Sequence, residues 1–186
     1  MAFFTGKGDG GTSKLFDSEP GQRVSKTSPV FETLGMLDEL NSLVGWCKAA
    51  VPKELEFEGR KIRHVLHDVQ DHLFTIQAEV AGAVKSIPLT SVEHLGVLIN
   101  RIESSLPPVK SFLLAGGTEL SARLDIARAV ARRAERRLVT LHESGERTVS
   151  EASRAYTNRL SSLLYALTRL VNNRSGAKEE APEYKA

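Results

Sequence analysis

The chain has 186 residues and a net charge of +2, with 41% hydrophobic and 26% charged residues, the make-up of an ordinary globular domain with room for one substantial core. That balance excludes a disordered or fibrous chain and argues against a general nucleic-acid binder, whose basic excess is spread over its surface. The single Cys47 excludes an internal disulfide and fits a reducing compartment; with no basic-apolar-small leader and no apolar run long enough to span a bilayer, the expected setting is the cytoplasm, with no membrane partner.

Residues 1–28, MAFFTGKGDGGTSKLFDSEPGQRVSKTS, carry five glycines and no helical period, which predicts irregular backbone able to turn its N–H groups toward a ligand. Gly6, Gly8 and Gly11 have the G-x-G-x-x-G spacing, but no strand precedes them and no helix follows, so the dinucleotide-fold reading fails its own context. No Gly-Lys-Ser/Thr triplet makes a Walker loop. What remains is a loop with Thr5, Thr12 and Ser13 as hydroxyl donors and Lys7, Lys14 and Lys26 as cations; a loose N-terminal tail is the competing reading.

The pattern then turns helical. Ser28 and Pro29 form a start signal for a first helix to about residue 50, with Phe31, Leu34, Leu37, Leu40, Val44 and Cys47 at threes and fours. Asp38 and Asn41 sit one turn apart on what reads as a solvated face. Pro52 ends this helix, and PKELEFEG reads as a polar connector. A second helix over about 59–83 carries the stripe Ile62, Val65, Leu66, Val69, Leu73, Ile76 and Val80. On its other side His64, His67, Asp68, Asp71 and His72 fall close together; a metal reading is outweighed by a solvated face, because zinc sites usually draw ligands from more than one element, and no metal ligand is assigned. A third helix over 91–105 points Val92, Leu95, Leu98, Ile99 and Ile102 inward before Pro107 and Pro108 stop it.

A loop with two glycines, 112–117, leads into an arginine-dense helix that Thr118 can cap and whose positive end suits Glu119. At ~100° per residue, Leu120, Leu124, Ala127, Ala131, Ala134, Leu138 and Leu141 share one side, with Asp125, Arg128, Arg132, Glu135 and Arg136 on the flank beside it. Guanidiniums four residues apart repel one another, so this ridge is easier to understand with an anion against it; planar forks suit phosphate and carboxylate. After Gly145 a fifth helix over 149–173 repeats Val149, Ala152, Tyr156, Leu160, Leu163, Leu167 and Leu170 at nearly heptad spacing. The tail from 176 to 186 reads as polar and disordered. With no convincing strand and no internal repeat, the expectation is all-α: one domain over residues 1–175, a five-helix up-and-down bundle with an irregular N-terminal loop segment.

Several stretches together resemble the PduO-type ATP:corrinoid adenosyltransferases. They are Thr5 to Ser13 (TGKGDGGTS), Arg23-Val24-Ser25-Lys26, Glu32 to Asn41 (ETLGMLDELN), Phe112 to Gly117 (FLLAGG), Ala127 to Arg136 (ARAVARRAER) and Asn158-Arg159-Leu160-Ser161. They occur in the family's order and cover most of the chain. The resemblance implies transfer of the 5′-deoxyadenosyl group of ATP to the cobalt of cob(I)alamin or a related corrinoid, with release of triphosphate. It implies a homotrimer with ATP between subunits, Mg²⁺, a corrinoid reductase as electron donor, and an adenosylcobalamin-dependent enzyme receiving the product. Carried over residue by residue, ATP contacts fall on Thr5, Gly6, Lys7, Gly8, Thr12, Ser13 and Lys26 in the loop, and on Arg132, Arg133, Glu135, Arg136 and Asn158 on the helices. The corrinoid side falls on Phe112, with Asp38 and Arg128 as a supporting charge pair; Arg128, Arg132, Phe112 and Asp38 make up the implied catalytic group. The chain departs from the family pattern at Ala115, where proline is usual, at Asp125, where histidine is common, and at Gly6-Lys7, which shifts the loop cation by one residue.

Two other classes compete. A helical nucleic-acid binder would use Arg123, Arg128, Arg132, Arg133, Arg136 and Arg137, but Arg123, Arg133 and Arg137 point away from the ridge and no aromatics interleave for base stacking; no nucleic-acid partner is expected. A nucleotide-sensing or assembly protein without corrinoid chemistry would use its arginines on carboxylates of neighbouring subunits.

Overall fold

The structure is a computed structural model that describes residues 4–184. Five helices make up the bundle: α1 (Pro29–Ala50), α2 (Ile62–Val80), α3 (Leu89–Ser104), α4 (Glu119–Glu143) and α5 (Glu151–Ser175). Two antiparallel ladders of two-residue strands precede α1 and α2: β1 (Thr12–Ser13) with β2 (Val24–Ser25), and β3 (Glu56–Phe57) with β4 (Arg60–Lys61). Helix α4 lies between α1 and α5, with α2 packed on α1 and α3 on α5.

The apolar stripes expected for α2, α4 and α5 are all buried, and the α1 stripe is buried at Leu37, Leu40, Val44 and Cys47. Each fully buried leucine or isoleucine contributes roughly 1.5–3 kcal/mol by leaving water. On α4 the alanines Ala127, Ala131 and Ala134 are buried, and their small side chains let the neighbouring backbones approach closely. Burial pushes the Cys47 thiol up to about 11, so it is an inert core residue.

Helix ends follow local chemistry. Thr118 caps α4 through a reciprocal box: its hydroxyl accepts from the Ser121 N–H at 3.1 Å, and Ser121 Oγ accepts from the Thr118 N–H at 2.8 Å. Ser150 caps α5 by accepting from the Ser153 N–H, and Gly176 ends it in the left-handed region at φ 70°. At α1 the start signal acts through Pro29, because the Ser28 side chain makes no capping bond.

Three expectations need correcting. The connector PKELEFEG is a hairpin: Glu58 and Gly59 both take positive φ, so the chain reverses in two residues and tucks Phe57 into the core. Asn41 is 4% exposed, since helix α2 covers it; its carbonyl accepts from Gln70 Nε2 at 3.2 Å. The tail is held where it is described: Glu179 forms a multiply bonded ion pair with Arg169 of α5 at 3.0 Å, and the Glu180 carbonyl accepts from the Leu114 N–H at 2.8 Å. Among the described residues no helix is long and apolar enough to cross a membrane.

Candidate functional site

The face of α4 next to its buried stripe builds one wall of a cavity of about 830 Å³ between α3, α4, α5 and the α3–α4 connection. Arg128 and Arg132, one turn apart, line this wall; Ile99 of α3, Leu106 just past its end and Ala166 of α5 supply apolar surface; Phe112 and Leu113 stand at the rim. Phe112 is 81% exposed, an aromatic ring left in solvent at a cavity mouth, which is how a ligand-facing side chain differs from a core one. The arginine row continues past the cavity: Arg136 lies one turn beyond Arg132, and neither guanidinium has an ion-pair or hydrogen-bond partner among the described residues. A half-apolar cavity therefore opens onto two unneutralised guanidiniums.

Arg128, Glu135 and Arg133 on the same helix each have a partner within the chain. Arg128 Nε donates to Asp125 Oδ1 at 3.0 Å, so in this chain its partner is on its own helix; Asp38 is exposed on α1 and does not meet it. Glu135 accepts from Asn158 Nδ2 of α5 at 2.6 Å, which ties the two residues expected at the nucleotide together beside the ridge. Arg133, expected with them, is turned onto α1 instead: it donates to Glu39 at 2.8 Å and to the Met36 sulfur at 3.0 Å. The reason is angular, because one residue past Arg132 rotates the side chain by ~100° toward the neighbouring helix.

The N-terminal loop is a folded unit, which removes the loose-tail reading for its described part. The ladder pairs Thr12 with Ser25 and Ser13 with Val24, and the Lys26 N–H donates to the Gly11 carbonyl at 2.9 Å. Arg23 clasps Thr12 through its hydroxyl and its carbonyl, both at 2.7 Å. Lys26 lies across Gly8 so closely that a Cβ there would come within 3.1 Å of the ammonium; glycine makes that approach possible. Thr5, Gly6 and Lys7 lie in the same turn, where the Lys7 N–H reaches Thr5 Oγ1 at 3.4 Å. Two anchors fix the segment to the bundle: the Phe16 N–H donates to the Ala81 carbonyl at 2.8 Å, and Asp17 pairs with Arg147, whose hydrogen bonds hold the Asp17 carboxyl below its ordinary pKa. Among the described residues no hydrogen bond or ion pair joins Thr5, Lys7, Thr12, Ser13 or Lys26 to Arg132 or Arg136.

Sequence reasoning missed Tyr165 and Arg169, which line the cavity from α5. Burial raises the Tyr165 hydroxyl above its usual range. Their signal was present in Ser161, Tyr165 and Arg169 at four-residue spacing, a polar stripe beside the leucine heptads. The histidines and aspartates of α2 disperse: Asp68 pairs with Arg60, His67 approaches Asp71 at 3.8 Å, and His72 Nδ1 lies 3.0 Å from the buried Tyr156 hydroxyl. Burial lowers the pKa of His72 and raises that of Tyr156, so both stay neutral near pH 7.

A family model described as cobalamin adenosyltransferase matches residues 3–171. The corrinoid adenosyltransferase PduO of Citrobacter freundii is 40% identical over 91% of this chain, which spans only 49% of that relative's length. A corrinoid adenosyltransferase of Bacillus subtilis (strain 168) is 37% identical over 95% of this chain and 89% of its own. Among solved structures, a F112A variant of a PduO-type ATP:corrinoid adenosyltransferase from Lactobacillus reuteri, complexed with cobalamin and ATP, superposes with TM-score 0.85 at 26% identity, covering 98% of this chain and 100% of that one.

Proposed function

The chain belongs to the cobalamin adenosyltransferase family, and from that premise we propose that it transfers the 5′-deoxyadenosyl group of ATP to the cobalt of cob(I)alamin or a related corrinoid. The observation that carries this reading is the junction on α4: Arg128 and Arg132 wall a half-apolar cavity rimmed by Phe112, and the row of unpaired guanidiniums runs out of it to Arg136. Such a cavity suits a large planar ligand, and the row beyond it suits a polyphosphate.

Reduced cobalt is a strong nucleophile. It attacks the 5′ carbon of ATP, a Co–C bond forms, the C5′–O bond breaks, and triphosphate leaves with the bonding electrons. The protein's work is to hold carbon and cobalt in line and to stabilise the charge that grows on the leaving group. Arg132 and Arg136 do the second from the ridge, with Glu135 and Asn158 beside them at the nucleoside; Thr5, Gly6, Lys7, Gly8, Thr12, Ser13 and Lys26 supply N–H groups, hydroxyls and cations from the loop. Phe112 and the apolar cavity wall exclude water from the lower face of the corrinoid and favour loss of its axial ligand, which eases reduction of Co(II). No side chain has to act as nucleophile or general base.

Because no hydrogen bond or ion pair among the described residues links the loop to the ridge in one chain, we place ATP between subunits of a homotrimer, the loop of one protomer closing on the ridge of the next. In that assembly Asp38, exposed on α1, is available to the partner's corrinoid side. Magnesium comes with the triphosphate: no group of three described His, Cys, Asp or Glu side chains is placed to hold a metal ion. A corrinoid reductase supplies the electron, an adenosylcobalamin-dependent enzyme takes the product, and the setting is the cytoplasm. The test is anaerobic spectrophotometry of cob(I)alamin with MgATP and purified protein. Formation of the alkylcobalamin spectrum with stoichiometric triphosphate supports the reading; an unchanged Co(I) spectrum defeats it.

A further inference from the structure

We propose that Asp125 is a positioning residue that sets the pose of the Phe112 loop and of the Arg128 guanidinium together, and thereby sets affinity for the corrinoid; this rests on the cavity being the corrinoid site. Asp125 is 7% exposed in the second turn of α4. Its two carboxylate oxygens divide their work: Oδ2 accepts the Gly116 N–H at 3.2 Å and Oδ1 accepts Arg128 Nε–H at 3.0 Å. The Gly116 carbonyl is held as well, accepting from Ser121 Oγ and from Asn172 Nδ2, each at 3.0 Å. Gly117 completes the clamp, since a Cβ there would lie 2.5 Å from Asn172 Oδ1.

The loop that bears Phe112 is held first at Leu114, whose N–H donates to the Glu180 carbonyl at 2.8 Å, and then gripped on both sides of the Gly116 peptide where it enters α4. Between Phe112 and Gly116 the chain reads Leu113-Leu114-Ala115, with no proline ring to restrict φ. Of the bonds that stiffen this exit, at Leu114 and at Gly116, the one with an ionic acceptor is the Asp125 contact. Hydrogen bonds to a carboxylate are roughly twice as strong as neutral ones. The same carboxylate fixes which way Arg128 points into the cavity, so the aromatic rim and the cationic wall share a single hinge pin.

The experiment uses the full chain, Asp125→Ala and Asp125→Asn, with amide hydrogen exchange at Gly116 and Gly117 in the ligand-free protein and absorbance titration of cob(II)alamin in the presence of MgATP. For Asp125→Ala we expect exchange at Gly116 about tenfold faster and a cob(II)alamin Kd about tenfold higher, with the MgATP Kd unchanged. Asp125→Asn keeps an acceptor for the Gly116 N–H but removes the charge facing Arg128, so exchange stays near that of the unsubstituted protein while corrinoid affinity falls. Unchanged exchange and affinity in Asp125→Ala overturn the proposal, and so does equal weakening of corrinoid and MgATP, which marks a general loss of structure. If the unsubstituted protein binds no corrinoid, the functional reading falls together with the affinity claim, while exchange at Gly116 still decides whether Asp125 holds the loop.

Discussion

The two flanks of α4 carry the same residue type and put it to opposite uses. On the flank toward α1, Arg123 lies 4.4 Å over the Trp46 ring and pairs with Glu119, and Arg133 pairs with Glu39 at 2.8 Å. On the flank toward α5, the guanidiniums of Arg132 and Arg136 have no partner among the described residues, and they follow directly from a cavity. Arg123 and Arg133 are satisfied within the chain as part of the scaffold, whereas Arg128, paired with Asp125, still faces the cavity. A guanidinium left unsatisfied next to another of the same sign is waiting for an anion that the chain does not supply.

Substituting one arginine on each flank tests that contrast most severely. Arg132→Ala should lower kcat/KM for ATP about 10²–10³-fold while thermal stability moves by no more than about 0.5 kcal/mol. Arg133→Ala should leave ATP turnover near normal and cost about 0.2–1 kcal/mol, because its ion pair with Glu39 is solvent-exposed. Equal kinetic losses in the two variants would erase the distinction between the flanks.

Phe112→Ala asks whether the cavity end of the α5-side flank serves the corrinoid. Turnover starting from Co(II) should fall on the order of 10–100-fold, and turnover from chemically supplied Co(I) by much less. Identical losses in both assays would remove the axial-ligand role of the ring.

The α5-side flank is also braced from outside the helix, by the tail. Glu179→Ala leaves Arg169, whose side chain is 8% exposed, with only the Pro107 carbonyl at 3.0 Å, and should cost about 1–3 kcal/mol in thermal denaturation. No change in melting would mean that the tail rests on the bundle without holding it.

The mildest probe lies far from both flanks. Burial lowers the pKa of His72 from 6.5, so the unfolded chain takes up a proton there before the folded one does. Stability present above that value is therefore lost as pH falls from 6.5 toward the lower folded pKa. His72→Asn should flatten this part of the melting-temperature profile and leave turnover on α4 untouched; an unaltered slope would show that another group carries it.

Much of this was legible beforehand. The stripes of α2, α4 and α5 were readable residue by residue, since burial in a bundle repeats with the helical period. Thr118 announced its cap, and the arginine ridge announced itself through spacing alone. The hairpin around Glu58 and Gly59 was not legible, because two-residue strands carry no periodic signal. Nor was the burial of Asn41, which depends on where Gln70 of α2 happens to lie.

The sequence by itself determined that there are five helices, roughly where each lies, and which family motifs stand on them, because helical period and motif order are local along the chain. Only the tertiary structure decided which arginines remain available. Arg133 finds Glu39 ninety-four positions away, and Arg169 is claimed by a tail that reads as free. Charge neutralisation depends on distances between helices, which no spacing along one helix can encode.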